Sequence, residues 1–396
     1  MPGRRMLIVP ALWFGLASVV LAVGCSAEEQ AEPSPTVTTQ RSGPVTTAPP
    51  PQARAFPAPK DAALPKEVRR RLDRVLEANV EAGASHGAAA AVVTEGGHWA
   101  GVAGLAPDGR PLVPGTALMI ASITKTFTAA EVVLLASRGL VDLDARASAY
   151  VELPVKDNGA TVRDLLRMRS GIPEFIDGPQ AASARVETRR HWTPAEVLRD
   201  VDAEQVSEPG VFYEYSNSNY ILLGQIIERV TGQSFAQALH KDLLDGRGLD
   251  RVAVQDEDIP RPPVARAPAH LTGGTPFLPN RAAASLAWAS GSIAADAASV
   301  ARWGYLLYGG RVLSQELVTS MLPGEGIRYG LGTRTMADAV SGEAFVGHDG
   351  EFEIYRTALS IGLDRPLAIA VLLTRDDEVS EPETVVRALA DVLTGE

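Results

Sequence analysis

The stretch Ala121-Ser122-Ile123-Thr124-Lys125 opens an apolar helical run that ends at Arg138. A serine and a lysine three residues apart lie on one face of a helix. The N-terminus of a helix can stabilise a developing oxyanion, and a neutral lysine can accept the proton of a serine. The stretch therefore predicts a nucleophile, Ser122, with its own base, Lys125.

Lysine is scarce in this chain, which strengthens that interpretation. The chain has five lysines, at positions 60, 66, 125, 156 and 241, and arginine carries most of its positive charge. Arginine stays protonated in proteins, whereas a desolvated lysine can become neutral. Only Lys125 has a serine three residues before it. Spacing alone is a weak signal, so partner groups elsewhere in the chain must support it.

The composition excludes several classes of function. The chain has 396 residues and a formal net charge of −11, and it contains no basic cluster interleaved with aromatic residues, so no nucleic acid is expected as a partner. It contains no H-E-x-x-H pattern, no cysteine pair and no phosphate-binding loop. We therefore expect neither a metal nor another cofactor.

The N-terminus has the pattern of a targeting segment. Arg4 and Arg5 precede an apolar stretch, and small residues then lead to Cys25, which is the single cysteine of the chain. This resembles a bacterial lipoprotein signal peptide over residues 1–25, in which Cys25 is lipidated and anchors the mature protein to the outer face of a membrane. An ordinary signal peptide, giving a secreted protein, and a transmembrane anchor are the alternatives.

The segment after the signal differs in composition from the rest. Residues 26–64 are rich in Pro, Thr, Ser and Ala and have few large apolar side chains, which predicts a disordered tether. Residues 65–396 form the predicted folded part. Predicted strands at 87–93, 99–105, 355–361 and 367–373 enclose a set of predicted helices. This order predicts an α/β fold whose sheet is built from both ends of the chain, with a helical insertion.

Tyr215-Ser216-Asn217 is a second candidate element of the site. In extended chain, Tyr215 and Asn217 point to the same side. A tyrosine hydroxyl can relay a proton, and an asparagine amide can hold a substrate carbonyl. A structural loop tyrosine is the alternative interpretation.

Gly347-His348-Asp349-Gly350 is the third element, and it lies between predicted strands. Glycine in a strand allows another backbone or a ligand to approach closely. His348 could carry positive charge or donate a hydrogen bond beside a reacting carbonyl. A Ser-His-Asp triad is the alternative, but no G-x-S-x-G element is present and Ser122 already has a nearer amine.

The three elements, in this order, resemble the penicillin-recognising serine hydrolases: class C β-lactamases, D-alanyl-D-alanine carboxypeptidases and related esterases. The resemblance covers residues 64–393. It implies a β-lactamase/transpeptidase-like fold, with an antiparallel sheet, flanking helices and an all-helical domain. The site would lie in the crevice between the two parts.

The resemblance also implies roles for individual residues. Ser122 would form an acyl-enzyme, with Lys125 and Tyr215 as base and proton relay. Asn217 would orient the substrate amide, and His348 and Gly350 would line the substrate site. The backbone N–H groups of Ser122 and Glu351 would form the oxyanion hole.

Two departures from the family pattern affect the expected substrate. Asp349 stands where relatives often have a small hydroxyl residue that binds a substrate carboxylate, so it should repel anions unless His348 or Arg356 pairs with it. Phe352-Glu353-Ile354 replaces a glycine-containing stretch and narrows the expected crevice. Both features favour a smaller or neutral ester or amide.

Three functions stay open at this point. The leading one is a carboxypeptidase-like acyl-enzyme hydrolase that acts on cell-wall D-alanyl peptides. The second is an esterase or β-lactamase of the same family, acting on an ester or a β-lactam. The third is a catalytically silent binding lipoprotein with the same fold.

Overall fold

The computed structural model describes residues 52–199, 201, 204–324, 327–336, 345–374 and 381–395. The predicted signal peptide with Cys25, and residues 26–51 of the predicted tether, lie outside the described residues and stay predictions. In the part of the chain that the structure describes, no helix combines the length and the apolar character needed to cross a bilayer.

An antiparallel sheet of six strands is the centre of the described fold. Its order is β2-β1-β9-β8-β7-β6, so strands from the two ends of the chain pair in the middle, as Ala90 of β1 does with Val371 of β9. This confirms the predicted sheet built from both termini. The strands are β1 Gly87–Thr94, β2 Gly97–Gly104, β6 Arg334–Thr335, β7 Phe345–Phe352, β8 Tyr355–Gly362 and β9 Leu367–Thr374.

The helices pack around this sheet. All except α1 and α12 lie between β2 and β6 in the chain. They are α1 Lys66–Glu81, α2 Thr124–Ser137, α3 Val162–Leu166, α4 Pro179–Val186, α5 Pro194–Leu198, α6 Ser218–Thr231, α7 Phe235–Leu239, α8 Ala269–Thr272, α9 Arg281–Gly291, α10 Ala297–Tyr308, α11 Gln315–Met321 and α12 Pro382–Thr394. A second, small sheet joins β3 Leu118–Met119, β5 Ile293–Ala295 and β4 Ala253–Val254.

The two faces of the large sheet bury different cores, because side chains alternate along a strand. Ala88, Ala90 and Val92 of β1 pack with α1 and α12. Ala89, Ala91 and Val93 face the larger core, which contains α10 and the helices beyond it. Because both faces of the sheet are buried, the central strands consist almost entirely of apolar residues.

Helix α10 connects the sheet to the helix that carries the predicted nucleophile. Trp303 of α10 stacks on Phe127 of α2, with ring centroids 3.9 Å apart. The indole N–H of Trp303 also donates to the Thr126 hydroxyl at 2.9 Å. The start of α2 is therefore held rigidly relative to the sheet, which a catalytic constellation requires.

The last part of the predicted tether is not disordered in the structure. Phe56 is 2% exposed and packs on Tyr305 of α10, with ring centroids 5.0 Å apart. Its backbone N–H donates to the Gly309 carbonyl, and its carbonyl accepts from Arg311. Composition alone predicted a boundary at residue 64, but one buried aromatic ring is enough to hold this segment against the domain.

We expect Phe56→Ala to lower the free energy of unfolding by about 3–5 kcal/mol, because it empties a buried aromatic site. Phe212→Ala is the matched control, since the Phe212 side chain is 65% exposed and should contribute less than about 0.5 kcal/mol. Urea unfolding of the two variants measures both values. If Phe56→Ala lowered the free energy of unfolding as little as Phe212→Ala does, the segment around Phe56 would not stabilise the domain.

Candidate active site

Ser122 lies in a single 3₁₀ turn, Ala121–Ile123, directly before α2. The residue before it, Ala121, has a φ of 47°, a conformation that costs energy for a residue with a side chain. The turn is fixed from outside, because Ile120 N–H donates to the carbonyl of Ile293 at 2.8 Å. Strain next to a partly buried serine is typical of a nucleophile that is held in one orientation.

The amine of Lys125 is at hydrogen-bonding distance from three oxygens. Its Nζ lies 2.9 Å from Ser122 Oγ, 2.7 Å from Asn217 Oδ1 and 2.7 Å from the carbonyl oxygen of Ser290. The side chain is completely buried. The serine and lysine that the sequence pairs by spacing are therefore in direct contact.

A kink in α9 supplies the third of these oxygens. Trp288 has a non-helical conformation, φ 33° and ψ −124°, inside the helix. Ala289 and Ser290 lie in the last turn of α9, where main-chain carbonyls have no partner within the helix, and these two accept from Thr128 and Lys125. Residue spacing could not identify this contact, because every residue type presents the same main-chain oxygen.

Burial lowers the pKa of Lys125 to about 7, and the carboxylates of Glu174 and Asp349 act in the opposite direction. A neutral amine keeps two N–H groups and one lone pair. The carbonyl oxygens of Asn217 and Ser290 take the two N–H groups, and the lone pair is then directed at the Ser122 hydroxyl. In this form, Lys125 is placed to remove the serine proton.

Tyr215 contacts the same serine from another side. Its hydroxyl donates to Ser122 Oγ at 2.9 Å, and its ring lies 5.1 Å from the Lys125 amine. Burial raises the pKa of Tyr215 well above its ordinary value, so the hydroxyl keeps its proton at neutral pH. The geometry suits a proton relay rather than a phenolate base.

Asn217 stands at the N-terminus of α6 and is oriented by a residue that the sequence did not reveal. Glu174 Oε2 accepts from both the backbone N–H and the Nδ2 of Asn217, each at 2.7 Å. This turns Oδ1 towards Lys125. One amide hydrogen is thereby occupied, so Asn217 has less capacity to bind a substrate carbonyl than predicted. In the sequence, the turn-like stretch Gly171-Ile172-Pro173 directly before Glu174 was the feature that could have indicated a residue of the site here.

His348 is neutral rather than positively charged. It is 1% exposed, and burial lowers its pKa to about 4. Its Nδ1 lies 2.5 Å from the carbonyl oxygen of Asp349 and must donate there, so Nε2 accepts from the hydroxyl of Tyr329 at 3.0 Å. The imidazole therefore fixes the backbone of β7 and supplies no cation to a substrate.

Gly350 lets β7 approach the nucleophile. A Cβ atom at this position would lie 2.5 Å from the Ile120 carbonyl oxygen and 2.9 Å from the Ser122 backbone nitrogen. No side chain fits into that space. The next residue, Glu351, lines the same cavity as Ser122. The proposed oxyanion hole, from the N–H groups of Ser122 and Glu351, is compatible with this arrangement and stays a prediction.

A cavity of about 640 Å³ opens onto Ser122. One part of its wall is apolar and comes mainly from α4, α8 and α9, with Ala181, Ala184, Leu271, Ala283 and Leu286. The other part carries the charged residues of β6, β7 and the turn after β7. The described residues contain no group of three or more His, Cys, Asp or Glu side chains that could hold a metal ion.

The charged groups of the cavity are paired. Arg334 contacts Asp349, and Arg185 Nε lies 3.2 Å from Glu353 Oε1. Arg356, which the sequence suggested as a partner of Asp349, instead contacts Glu351 with a 2.6 Å distance between Nη2 and Oε1. Both arginines among the described lining residues are thus already neutralised by carboxylates.

The fold is β-lactamase/transpeptidase-like, and the contacts among Ser122, Lys125 and Tyr215 have the arrangement expected of a serine hydrolase site. The family model described as Beta-lactamase matches residues 72–394, and the chain belongs to that family.

Known proteins with similar sequences or structures include an amidohydrolase and an amidase. The D-stereospecific amidohydrolase from Streptomyces sp. superimposes with a TM-score of 0.67 at 25% identity, over 81% of this chain and 98% of its own. The D-amino acid amidase from Ochrobactrum anthropi SV3 gives a TM-score of 0.70 at 23% identity, over 83% and 99% of the two chains. PbpX of Bacillus subtilis is 27% identical over 55% of this chain, and the match spans about half of the length of PbpX (54%).

The wild-type kcat/KM should rise with pH through about 7, because only the neutral form of Lys125 can accept the Ser122 proton. Lys125→Arg should reduce turnover at least about 10³-fold at every pH, since arginine stays protonated. Steady-state kinetics with a chromogenic ester measures both. Substantial activity of the arginine variant would remove Lys125 from the role of base.

Glu174→Gln should move the acid limb of the kcat/KM profile to lower pH, because it removes a negative charge that raises the pKa of Lys125. The glutamine keeps one oxygen for Asn217. Glu187→Gln is the control, since Glu187 is exposed and pairs with Arg190 at 3.2 Å. An unchanged acid limb in Glu174→Gln, with a normally folded protein, would contradict the electrostatic influence of Glu174.

Proposed function

We propose that this serine hydrolase cleaves a neutral amide or ester of an amino acid or short peptide, through an acyl-enzyme on Ser122. The observation that carries the proposal is the paired state of both cavity arginines, Arg185 and Arg334. A substrate with a free terminal carboxylate near the scissile bond would need an uncommitted cation, and both of these cations are committed.

The proposed reaction begins with attack of Ser122 Oγ on the substrate carbonyl while its proton moves to Lys125 Nζ. The tetrahedral oxyanion would be stabilised by the backbone N–H groups of Ser122 and Glu351. Tyr215 would give its proton to the leaving amine or alcohol and take one back from Lys125. Water then attacks the acyl-enzyme ester, with Lys125 as base, and releases the acid and free Ser122.

The apolar wall of the cavity supports a substrate with an apolar side chain. Ala181 and Ala184 of α4 and Ala283 of α9 are small residues, so these helices leave room for such a group in the cavity. The two structural neighbours are a D-stereospecific amidohydrolase and a D-amino acid amidase. D-amino acid amides are therefore the first substrates to test.

A carboxypeptidase acting on D-alanyl peptides is the second candidate. Arg334 favours it, because a guanidinium in the cavity wall could bind a terminal carboxylate if it were released from Asp349. The predicted location on the outer face of a membrane, through Cys25, would also bring the enzyme near cell-wall peptides. The contact between Arg334 and Asp349 makes this candidate the weaker of the two.

Intact-mass spectrometry and turnover assays with four probes test the proposal. The probes are D-phenylalanine amide, a nitrophenyl ester, an acyl-D-Ala-D-Ala peptide, and penicillin. We expect turnover of the amide and the ester, no accumulation of a penicillin adduct, and complete loss of activity in Ser122→Ala. Stable penicillin labelling with peptide turnover would favour the carboxypeptidase instead. No reaction with any probe would support a binding protein without catalysis.

A further inference from the structure

The ion pair between Arg334 and Asp349 lies in the wall of the reaction cavity. Arg334 of β6 is opposite Gly347 of β7 in the sheet, so Asp349, two residues further along β7, is its diagonal neighbour on the same face. Both side chains line the cavity together with Ser122. They are partly exposed, at 42% and 37%, so solvent and substrate can reach them.

The position of this pair relative to the nucleophile is fixed by the backbone. Gly350, the residue after Asp349, lies against the backbone nitrogen of Ser122. The charge of Asp349 also acts on the amine of Lys125. A group bound to Arg334 would therefore sit close to the reacting carbonyl.

A guanidinium binds a carboxylate through parallel N–H donors. The carboxylate can belong to a protein side chain or to a ligand. We propose that Asp349 is a specificity-determining residue: its carboxylate occupies Arg334 from within the protein and excludes substrates that carry a carboxylate next to the scissile bond. This inference rests on the proposed hydrolase function and assigns the selectivity of that site. An incoming anion would have to displace Asp349 and would also meet its negative charge.

The arginine on the other side of the cavity does not provide an alternative anchor. Arg185 pairs with Glu353, and its side chain is 73% exposed, so it is more accessible to solvent than Arg334. Solvent screens a charge that is this exposed, so Arg185 would add little affinity for a substrate carboxylate. Removing Asp349 should therefore change carboxylate recognition more than removing Glu353 does.

The test compares two substrates with the same acyl group, acetyl-D-Ala-D-Ala and its C-terminal amide. In Asp349→Ser the ratio of kcat/KM for the acid to that for the amide should rise about 10–100-fold, because Arg334 becomes free for a charge-assisted hydrogen bond. Asp349→Asn, which keeps the side-chain shape, should raise the ratio in the same direction. The double variant Asp349→Ser with Arg334→Met should lose the gain, and Glu353→Gln is the matched control with an unchanged ratio.

The outcomes separate the two proposals. If the wild type turns over the amide but neither Asp349 variant changes the ratio, the inference is wrong and the hydrolase proposal stands. If the gain persists after Arg334→Met, the inference is also wrong, since Arg334 is then not the anchor. If the wild type turns over no substrate, the proposed function fails. The inference is then tested by penicillin adduct formation. Asp349→Ser should increase the amount of adduct, and the double variant should abolish that increase. Should the serine variant fail to fold, the asparagine variant decides.

Discussion

One buried amine determines how the surrounding elements must be arranged. An ammonium group removed from water is costly unless every N–H finds an acceptor, and a lysine amine can satisfy that demand with two acceptors once it is neutral. The oxygens of Asn217 and Ser290 meet this requirement around Lys125, and Ser122 completes the set. The same contacts that make burial tolerable leave the lone pair directed at the serine. Stability of the buried group and basicity towards Ser122 therefore have a common origin.

This requirement explains several irregular features of the fold. The kink at Trp288 interrupts α9 in the turn that presents the Ser290 carbonyl to Lys125. The positive φ of Ala121 turns Ser122 towards the amine. Gly350 allows β7 to lie against the start of the nucleophile helix, a contact that any side chain would prevent. Each irregularity would destabilise an isolated helix or strand, and each is over-determined here by buried neighbours.

The sequence predicted those parts of the site that depend on local spacing or on backbone pattern. The Ser122–Lys125 spacing and the apolar strands near both ends of the folded part lead directly to the observed contact and the observed sheet. It did not predict Glu174, Arg334 or the Ser290 carbonyl, because their roles arise from segments far apart in the chain. It also extended the tether of residues 26–64 too far, since composition averages over a window and cannot register that one ring, Phe56, packs on α10.

The charges of the cavity connect the fold to selectivity. The catalytic contacts around Ser122 use a lysine, a tyrosine and main-chain atoms, none of which distinguishes a charged substrate from a neutral one. Selectivity must then come from groups that stand beside the reacting carbonyl, and β6 and β7 supply them at adjacent positions of one sheet face. Diagonal neighbours on a sheet are within reach of a long side chain, and Arg334 contacts the carboxylate at position 349 in this way. A single side chain on β7 can therefore change the charge that a substrate encounters while the nucleophile, its base and their scaffold stay as they are.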